Sequence, residues 1–307
     1  MPAESLENIR ADISRRKTFD LIFIIIGLMV IFVAIVVLLG LTLQMASEGA
    51  HRITPGFFTS FPSRKPEQAG ILSAWVGTTL VMLVTAFAAV PLGIASGIYL
   101  EEYSRKNWIA DIIEINVTNL AGVPSIIYGL LALGLFVYQL DLGRSILSAG
   151  LTLALLILPI VIVTTREAIR AIPNHLREAA YALGASRWQM IWDHILPYSF
   201  GSILTGVIIG LSRAIGETAP VITIGALTFI AFLPESPFTN EFPFFTFDWL
   251  REPFTVMPIQ MFNWVSRPNP EFHANAAAAG TVLVGMTILM NGLAIYIRYQ
   301  FRRGVKW

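Results

Sequence analysis

Six long apolar stretches dominate this 307-residue chain. They cover residues 21–43, 71–98, 117–137, 146–165, 198 to the low 230s, and 276–297. The hydrocarbon core of a bilayer is about 30 Å thick and needs about 20 apolar residues per helix, so each stretch is long enough to cross it. The sequence therefore predicts an all-α integral membrane protein with six transmembrane helices.

Composition supports lipid as the main solvent, because only 13% of the residues are charged against about 25% in a soluble domain. We expect a cytoplasmic N-terminal segment over 1–20, one transmembrane domain over 21–300 and a cytoplasmic tail over 301–307. The first apolar stretch has about 23 residues, longer than the core of a signal peptide, and is interpreted as a retained helix. No cysteine is present, which excludes disulfides and thiolate metal sites. A net charge of +1 gives no reason to expect nucleic acid.

Positive charge predicts the orientation, because cytoplasmic segments carry an excess of Lys and Arg. With the N-terminus inside, fourteen of the 21 cations fall in cytoplasmic segments and six in outer ones, with Arg213 inside a span. We therefore expect a multi-pass membrane protein with both termini in the cytoplasm.

Two pairs of glycines have the spacing that lets membrane helices approach closely. These are Gly93 with Gly97, and Gly206 with Gly210. Packing within the chain is favoured over a dimer contact.

Residues 166–197 form a polar loop between the fourth and fifth spans. A membrane bundle does not need such a loop for its own stability, so we interpret it as a docking site for a soluble partner. Within 171–198 we expect two short helices. Pro173 and Asn174 would open the first, and Gly184 would end it in a left-handed conformation. Ser186 would cap the second, and Pro197 suits the first turn of the next span.

Each short helix carries an apolar stripe at helical spacing. The first stripe is Leu176, Ala179, Ala180 and Leu183, and the second is Trp188, Ile191, Trp192 and Ile195. A knob of two such helices can insert into the groove of a partner. An amphipathic surface helix lying on lipid has the same pattern, and the stripes alone leave both readings open.

One ionisable pair lies inside a span. Arg213 is expected roughly 22 Å from the cytoplasmic end at 1.5 Å per residue, with Glu217 four residues on, on the same face. Pro220 favours a kink beside them, and Pro124 is expected to reorient the start of the third span. Intramembrane charges normally face a bundle interior or a pathway. A structural ion pair and an anion-contacting arginine both fit.

Several chemistries are excluded. No glycine precedes any of the four lysines, so a P-loop for ATP is absent from the sequence. The four histidines form no HExxH pair, and no metal site is expected. An intramembrane enzyme would need Asp or His within spans, and none of the six spans has either. The apolar, proline-rich outer loop, about 233–275, either packs on the bundle or receives a binding protein.

The polar loop resembles a known motif. Glu178-Ala179-Ala180, then Gly184, then Leu196-Pro197 is similar to the EAA loop of bacterial ABC-importer permeases. That pattern usually has Ile two residues before the Leu, where this chain has His194. The resemblance implies that Glu178, Ala179, Ala180, Gly184, Leu196 and Pro197 belong to the contact with an ATPase subunit.

Three further runs resemble the phosphate-specific permeases of PstA type. They are Asn119-Leu120-Ala121-Gly122-Val123-Pro124-Ser125-Ile126-Ile127-Tyr128-Gly129, Ser212-Arg213-Ala214-Ile215-Gly216-Glu217-Thr218-Ala219-Pro220, and Asn263-Trp264-Val265-Ser266-Arg267-Pro268. The resemblance implies the type I ABC importer permease fold, passage of inorganic phosphate into the cell, and Arg213, Glu217 and Thr218 in the transport path, with Pro124 and Pro220 breaking helices.

The same resemblance implies partners and cofactors. A homologous permease of PstC type, an ATPase dimer of PstB type and a phosphate-binding protein of PstS type are expected. ATP would be used by the partners, with no cofactor on this chain. A permease for molybdate or sulfate and a non-transporting membrane scaffold or sensor remain the alternatives.

Overall fold

The computed structural model describes residues 3–104, 107–237 and 244–302. Most of the predicted tail and part of the predicted outer loop lie outside these ranges, as do the cations Arg105, Lys106, Arg303 and Lys306 used to predict orientation. The α-helices are α1 Ala3–Gly49, α2 Pro55–Thr59, α3 Leu72–Ile98, α4 Trp108–Leu120, α5 Ser125–Ala132, α6 Ile146–Arg170, α7 Asn174–Ala182, α8 Arg187–Gln189, α9 Leu196–Gly216, α10 Ala219–Ile224, α11 Met257–Val265 and α12 Glu271–Arg302.

Among the described residues, five helical runs are long and apolar enough to cross a membrane: Arg15–Arg52, Leu72–Tyr103, Ile146–Arg170, Arg187–Gly216 and Glu271–Gln300. Counted as one span, a bent pair of helices brings the number to six. The predicted all-α membrane architecture is therefore confirmed, with helices that extend beyond the apolar stretches at most ends.

The third span departs from the prediction of one helix over 117–137. It consists of Trp108–Leu120 and Ser125–Gln139, bent by 105° at the break. Pro124 has an extended backbone immediately before α5. The Tyr128 hydroxyl donates a 2.8 Å hydrogen bond to the Leu120 carbonyl across the bend. The same carbonyl also accepts a 3.1 Å bond from the Val123 N–H, so two donors satisfy this group at the end of α4.

The fifth span is also shorter than predicted. Instead of running to the low 230s, α9 ends at Gly216, and Glu217 has an extended backbone. Pro220 lacks the N–H that would bond the Gly216 carbonyl, and its ring crowds that carbonyl, so the helix breaks there. The short α10 follows and ends at Gly225, whose φ is +100°. Apolar composition predicted the length of this stretch but not its break.

Small residues set the packing of α3, α6 and α9, which form the centre of the bundle. A Cβ on Gly93 would lie 2.6 Å from Val161, and one on Gly97 would lie 2.6 Å from Thr165, both on α6. A Cβ on Gly206 of α9 would collide with Thr164, which is also on α6. The two glycine pairs therefore serve contacts within the chain, as favoured from the sequence.

The described part of the outer loop packs back on the bundle. Phe254, Val256, Met257 and Trp264 are all buried. The Met257 N–H donates a 2.9 Å hydrogen bond to the Thr78 hydroxyl on α3. The residues from Phe254 to Trp264 thus contribute several side chains to the core, whereas Phe244 and Phe247 remain exposed.

Helix α1 is the least covered part of the bundle. The apolar window of Arg15–Arg52 is 0% buried. Its close contact with α12 lies near its end, where a Cβ on Gly49 would meet the Ala277 and Ala278 backbone within 2.7 Å. The retained first helix therefore has an apolar surface that only lipid or another chain can cover.

Candidate functional site

The loop between α6 and α9 begins with helix α7, which starts at Asn174 after Pro173, as predicted. Gly184 follows it with φ +83°. The Gly184 N–H bonds the Tyr181 carbonyl at 3.0 Å, and the Ala185 N–H bonds the Ala180 carbonyl at 3.0 Å. These two bonds form a Schellman motif, the C-terminal cap that glycine favours.

The second predicted helix is not a separate element. Ser186 and Gln189 make a capping box at the start of α8, as expected for a helix N-terminus. However, a π-helical segment, Met190–Ile195, continues α8 directly into α9. Leu196 and Pro197 therefore lie inside one continuous helical run, Arg187–Gly216. The wider π-helical turn comes just before them.

The two predicted stripes divide between an inner and an outer face. Ile191 and Ile195 are buried at 1% and 0% exposure and pack with Ala180. Ala179 and Leu183 were assigned to the same stripe as Ala180, but both are exposed, Leu183 at 89%. The prediction of one shared stripe was therefore wrong for these two residues, which lie outside the apolar cluster around Ala180.

The outer face of this segment carries large apolar side chains. Tyr181, Leu183, Trp188 and Trp192 are exposed by 45%, 89%, 60% and 54%. The two tryptophan rings are stacked 5.3 Å apart. Glu178 is exposed close by on α7. Exposed apolar side chains beside a charge are typical of a surface that another molecule covers.

An ion pair that sequence reasoning missed connects α7 to the end of α3. Arg177 donates to Glu102 at 2.8 and 3.0 Å. Its guanidinium also donates to the carbonyls of Ile172 at 2.7 Å and Ile169 at 3.0 Å, at the end of α6. The side chains of Arg177 and Glu102 are only 16% and 8% exposed. One arginine therefore joins three elements.

A second group of charges lies beside this pair. Arg166, 9% exposed, contacts Glu114 of α4 at 2.8 Å and Glu101 at 3.5 Å. Arg170 contacts Glu101 at 3.0 Å. Together with Arg177 these side chains line a cavity of about 660 Å³. The local signal in the sequence was Glu101 and Glu102 at the end of an apolar stretch, but their partners are remote along the chain.

The predicted intramembrane pair is at the end of its helix rather than within it. The Arg213 Nε lies 3.2 Å from the Glu217 Oε1, and these side chains are 38% and 19% exposed. Glu217 follows the last residue of α9, and Thr218, half-buried, precedes α10. The assumption that both charges belong to one continuous helix was therefore wrong, although the pair forms.

The two broken spans meet beside this pair. Helix α5 follows the Pro124 break and α10 contains Pro220, and the two helices pack together through Gly129. A Cβ on Gly129 would collide with Thr223 and lie 2.6 Å from the Pro220 Cα. The predicted site residues thus fall in two groups: Arg213, Glu217, Thr218 and the two prolines at the helix breaks, and the α7–α9 segment at the opposite end of α9.

Among the described residues, no group of three or more His, Asp or Glu side chains is placed to hold a metal ion.

Comparison with protein families gives one extensive match. The family described as "Binding-protein-dependent transport system inner membrane component" matches residues 89–306. This range includes the α7–α9 segment and both helix breaks.

Individual relatives extend the match to almost the whole chain. The phosphate transport system permease protein PstA of Yersinia pestis is 30% identical over 296 residues, covering 94% of this chain and 92% of that protein. The PstA protein of Haemophilus influenzae is 29% identical over 289 residues, covering 94% and 96%. The probable ABC transporter permease YqgI of Bacillus subtilis is 29% identical over 260 residues, covering 83% and 86%.

A solved structure shares the fold. The inward-facing MetNI methionine ABC transporter has a TM-score of 0.54 at 16% sequence identity, covering 75% of this chain and 94% of that one. The predicted type I importer permease fold is thereby confirmed. The chain therefore belongs to the family of binding-protein-dependent transport system inner membrane components, as a multi-pass inner-membrane permease of PstA type in an ABC importer.

Proposed function

We propose that this chain is one of two permease subunits that together conduct inorganic phosphate into the cell. The observation that carries the proposal is the placement of Arg213. Its side chain is 38% exposed in the isolated chain although it forms an ion pair with Glu217. The relatives named as phosphate transport permeases support phosphate as the substrate.

The chemistry of the pair suits a transient anion contact. Arginine presents a planar set of donors that matches phosphate oxygens. Glu217 reduces the net positive charge at Arg213, so a bound anion is released rather than trapped. Thr218 adds a hydroxyl beside the pair. The short helices α5 and α10 pack next to it, and non-helical backbone at membrane depth is tolerated where it is buried in protein or lines a water-filled path.

The energy for transport is supplied in this proposal by a separate ATPase dimer of PstB type, which binds ATP; this chain binds no cofactor. The exposed face of α7 and the start of α8, with Glu178, Ala179 and Leu183, is the docking surface for that dimer. Ala180, Gly184, Leu196 and Pro197 hold this face in place. A permease of PstC type would complete the pathway, and a phosphate-binding protein of PstS type would deliver the substrate.

The excess of positive charge supports an orientation with both termini and the α7 segment in the cytoplasm. Arg213, at the far end of α9, then lies toward the outer side.

The test is uptake of labelled phosphate by cells that depend on this transporter. Arg213→Gln keeps hydrogen-bonding capacity but removes the charge, and we expect phosphate uptake to fall at least tenfold in an assembled complex. Arg251→Gln, at an exposed arginine of the outer loop, is the matched control and should leave uptake unchanged.

Parallel assays with sulfate and molybdate check the substrate. Uptake of either of these anions in place of phosphate would overturn the assignment of phosphate. Normal phosphate uptake by Arg213→Gln would reduce the pair to a structural role.

A further inference from the structure

A second cavity lies on the other side of α7 from the charge cluster. It has a volume of about 370 Å³ and lies between the ends of α6, α9 and α12. Pro173 and Leu176 line one wall, and Tyr198, Ser202, Thr205 and Arg298 line others. The walls therefore combine apolar surface with hydroxyl groups and one cation.

Arg298 is the charged member of this lining. It is half-buried and donates one 2.8 Å hydrogen bond to the Thr205 hydroxyl. Among the described residues it forms no ion pair, and no Asp or Glu lines the cavity. An arginine has five N–H donors, and the bond to Thr205 uses one of them. The others bind no carboxylate of the described residues and are therefore available to an anion.

The cavity lies at the boundary between the apolar surface of α12 and a basic stretch of sequence. Leu293 and Tyr296, just before Arg298, are exposed by 64% and 58%, as expected of lipid-facing residues with an aromatic side chain at the interface. The sequence then adds Arg302, Arg303 and Lys306, with no acidic residue anywhere in 272–307. The sequence from Arg298 onward therefore carries basic side chains and no acidic one.

We propose that this cavity binds the phosphodiester headgroup of an anionic phospholipid. Basic pockets between transmembrane helices on the cytoplasmic side suit such headgroups. Arg298 binds the phosphate, Thr205 and Ser202 add hydrogen bonds, and the acyl chains run along the exposed apolar surface of α12. The cytoplasmic side is taken from the proposed orientation; binding itself does not depend on phosphate being the transported ion.

The occupied cavity would also affect the docking segment. Leu176 belongs to α7, and Pro173 immediately precedes it. A headgroup in contact with both residues restrains α7 against α9 and α12, so the bound lipid stabilises one position of the helix that meets the ATPase.

Native mass spectrometry of the intact, delipidated complex tests the proposal. The complex is titrated with phosphatidylglycerol or with phosphatidylcholine of the same acyl chains. We expect wild-type protein to bind one phosphatidylglycerol in preference to phosphatidylcholine, and Arg298→Gln to bind phosphatidylglycerol about fivefold more weakly, the effect of one interfacial cation. Arg15→Gln, at an exposed arginine of α1, should bind like wild type.

A second variant tests the same proposal if the complex with Arg298→Gln does not assemble. Ser202→Phe fills the cavity from an exposed position on α9 and keeps Arg298, and it should weaken phosphatidylglycerol binding similarly. Wild-type binding by the variants that assemble would overturn the proposal. Displacement of the lipid by equimolar inorganic phosphate would assign the cavity to the free anion and also overturn it. Loss of the ATPase subunit with lipid binding intact would indicate a protein contact instead.

Discussion

At the scale of single residues, Gly184 is required for its backbone conformation alone. Its φ is +83°, and a Cβ built on it meets nothing within 4 Å. Space is thus available for a side chain, whereas the left-handed conformation costs an ordinary residue about 1–2 kcal/mol. Asparagine tolerates this conformation better than other residues with a side chain.

Two substitutions at Gly184 therefore separate the effect of backbone conformation from the effect of an added side chain. We expect Gly184→Val to misplace Leu183 and the end of α7 and to reduce recovery of the ATPase subunit on co-purification several-fold, with normal membrane insertion. Gly184→Asn should retain most of the ATPase. Equal recovery with both variants would show that the turn does not set the docking surface.

Local chemistry explains which residues sequence reasoning identified. Gly184 and Ser186 act through neighbours within a few positions, so their caps were predicted correctly. Arg177 acts through Glu102, 75 positions away, and no local pattern joins the two. Leu183 has helical spacing with Ala180, and its N–H still bonds the Ala179 carbonyl at 3.2 Å. Its side chain is nevertheless 89% exposed, because the apolar cluster around Ala180 does not extend to it.

At the scale of elements, Arg177 provides a polar attachment of α7 to the spans, beside the apolar contacts of Ala180. This arginine connects Glu102 at the end of α3 with two carbonyls at the end of α6. We expect this network to transmit a displacement of α7 to both helices. Removing a link of this kind should lower the coupling between ATP hydrolysis and phosphate uptake. Removing an ion pair that only stabilises the fold should not.

Charge removal in one and then both partners distinguishes these roles. Arg177→Gln leaves Glu102 buried without its counter-ion and should cost about 3 kcal/mol in stability. Arg177→Gln with Glu102→Gln removes both charges, and the melting temperature of the complex should largely recover. We expect the ratio of phosphate taken up to ATP hydrolysed to stay low in both variants.

The control is Arg170→Gln, whose side chain is 47% exposed and whose ion pairs should contribute little. A double variant with a wild-type ratio of uptake to hydrolysis would show that the pair only stabilises the fold.

At the scale of the whole molecule, hydropathy predicted the all-α class, because bilayer thickness sets the length of an apolar stretch. Of its six expected crossings, five are single helical runs, and the number is six when the bent pair is counted as one span. Hydropathy did not predict that the third and fifth crossings are broken. Pro124 and Pro220 indicated where breaks were possible, but the 105° bend depends on Tyr128 bonding back to Leu120 and on Gly129 admitting α10. The first is a side-chain contact within one apolar stretch, and the second is a tertiary contact between separate stretches.

The bend leaves one crossing short. Ser125–Gln139 extends about 22 Å at 1.5 Å per residue, whereas the hydrocarbon layer is about 30 Å thick. Where Ser125–Gln139 crosses without help from α4, we expect the bilayer to thin or water to enter, and either response carries a cost for each ångström of mismatch.

We therefore expect the thickness of the membrane to change the transport rate of this permease. Reconstituted complex in bilayers of one headgroup should transport fastest with short monounsaturated acyl chains and slow as the chains lengthen, which radioactive uptake into proteoliposomes measures. A rate that rises steadily with thickness would contradict this expectation. The bent helix pair thus makes the transport rate depend on the thickness of the surrounding membrane.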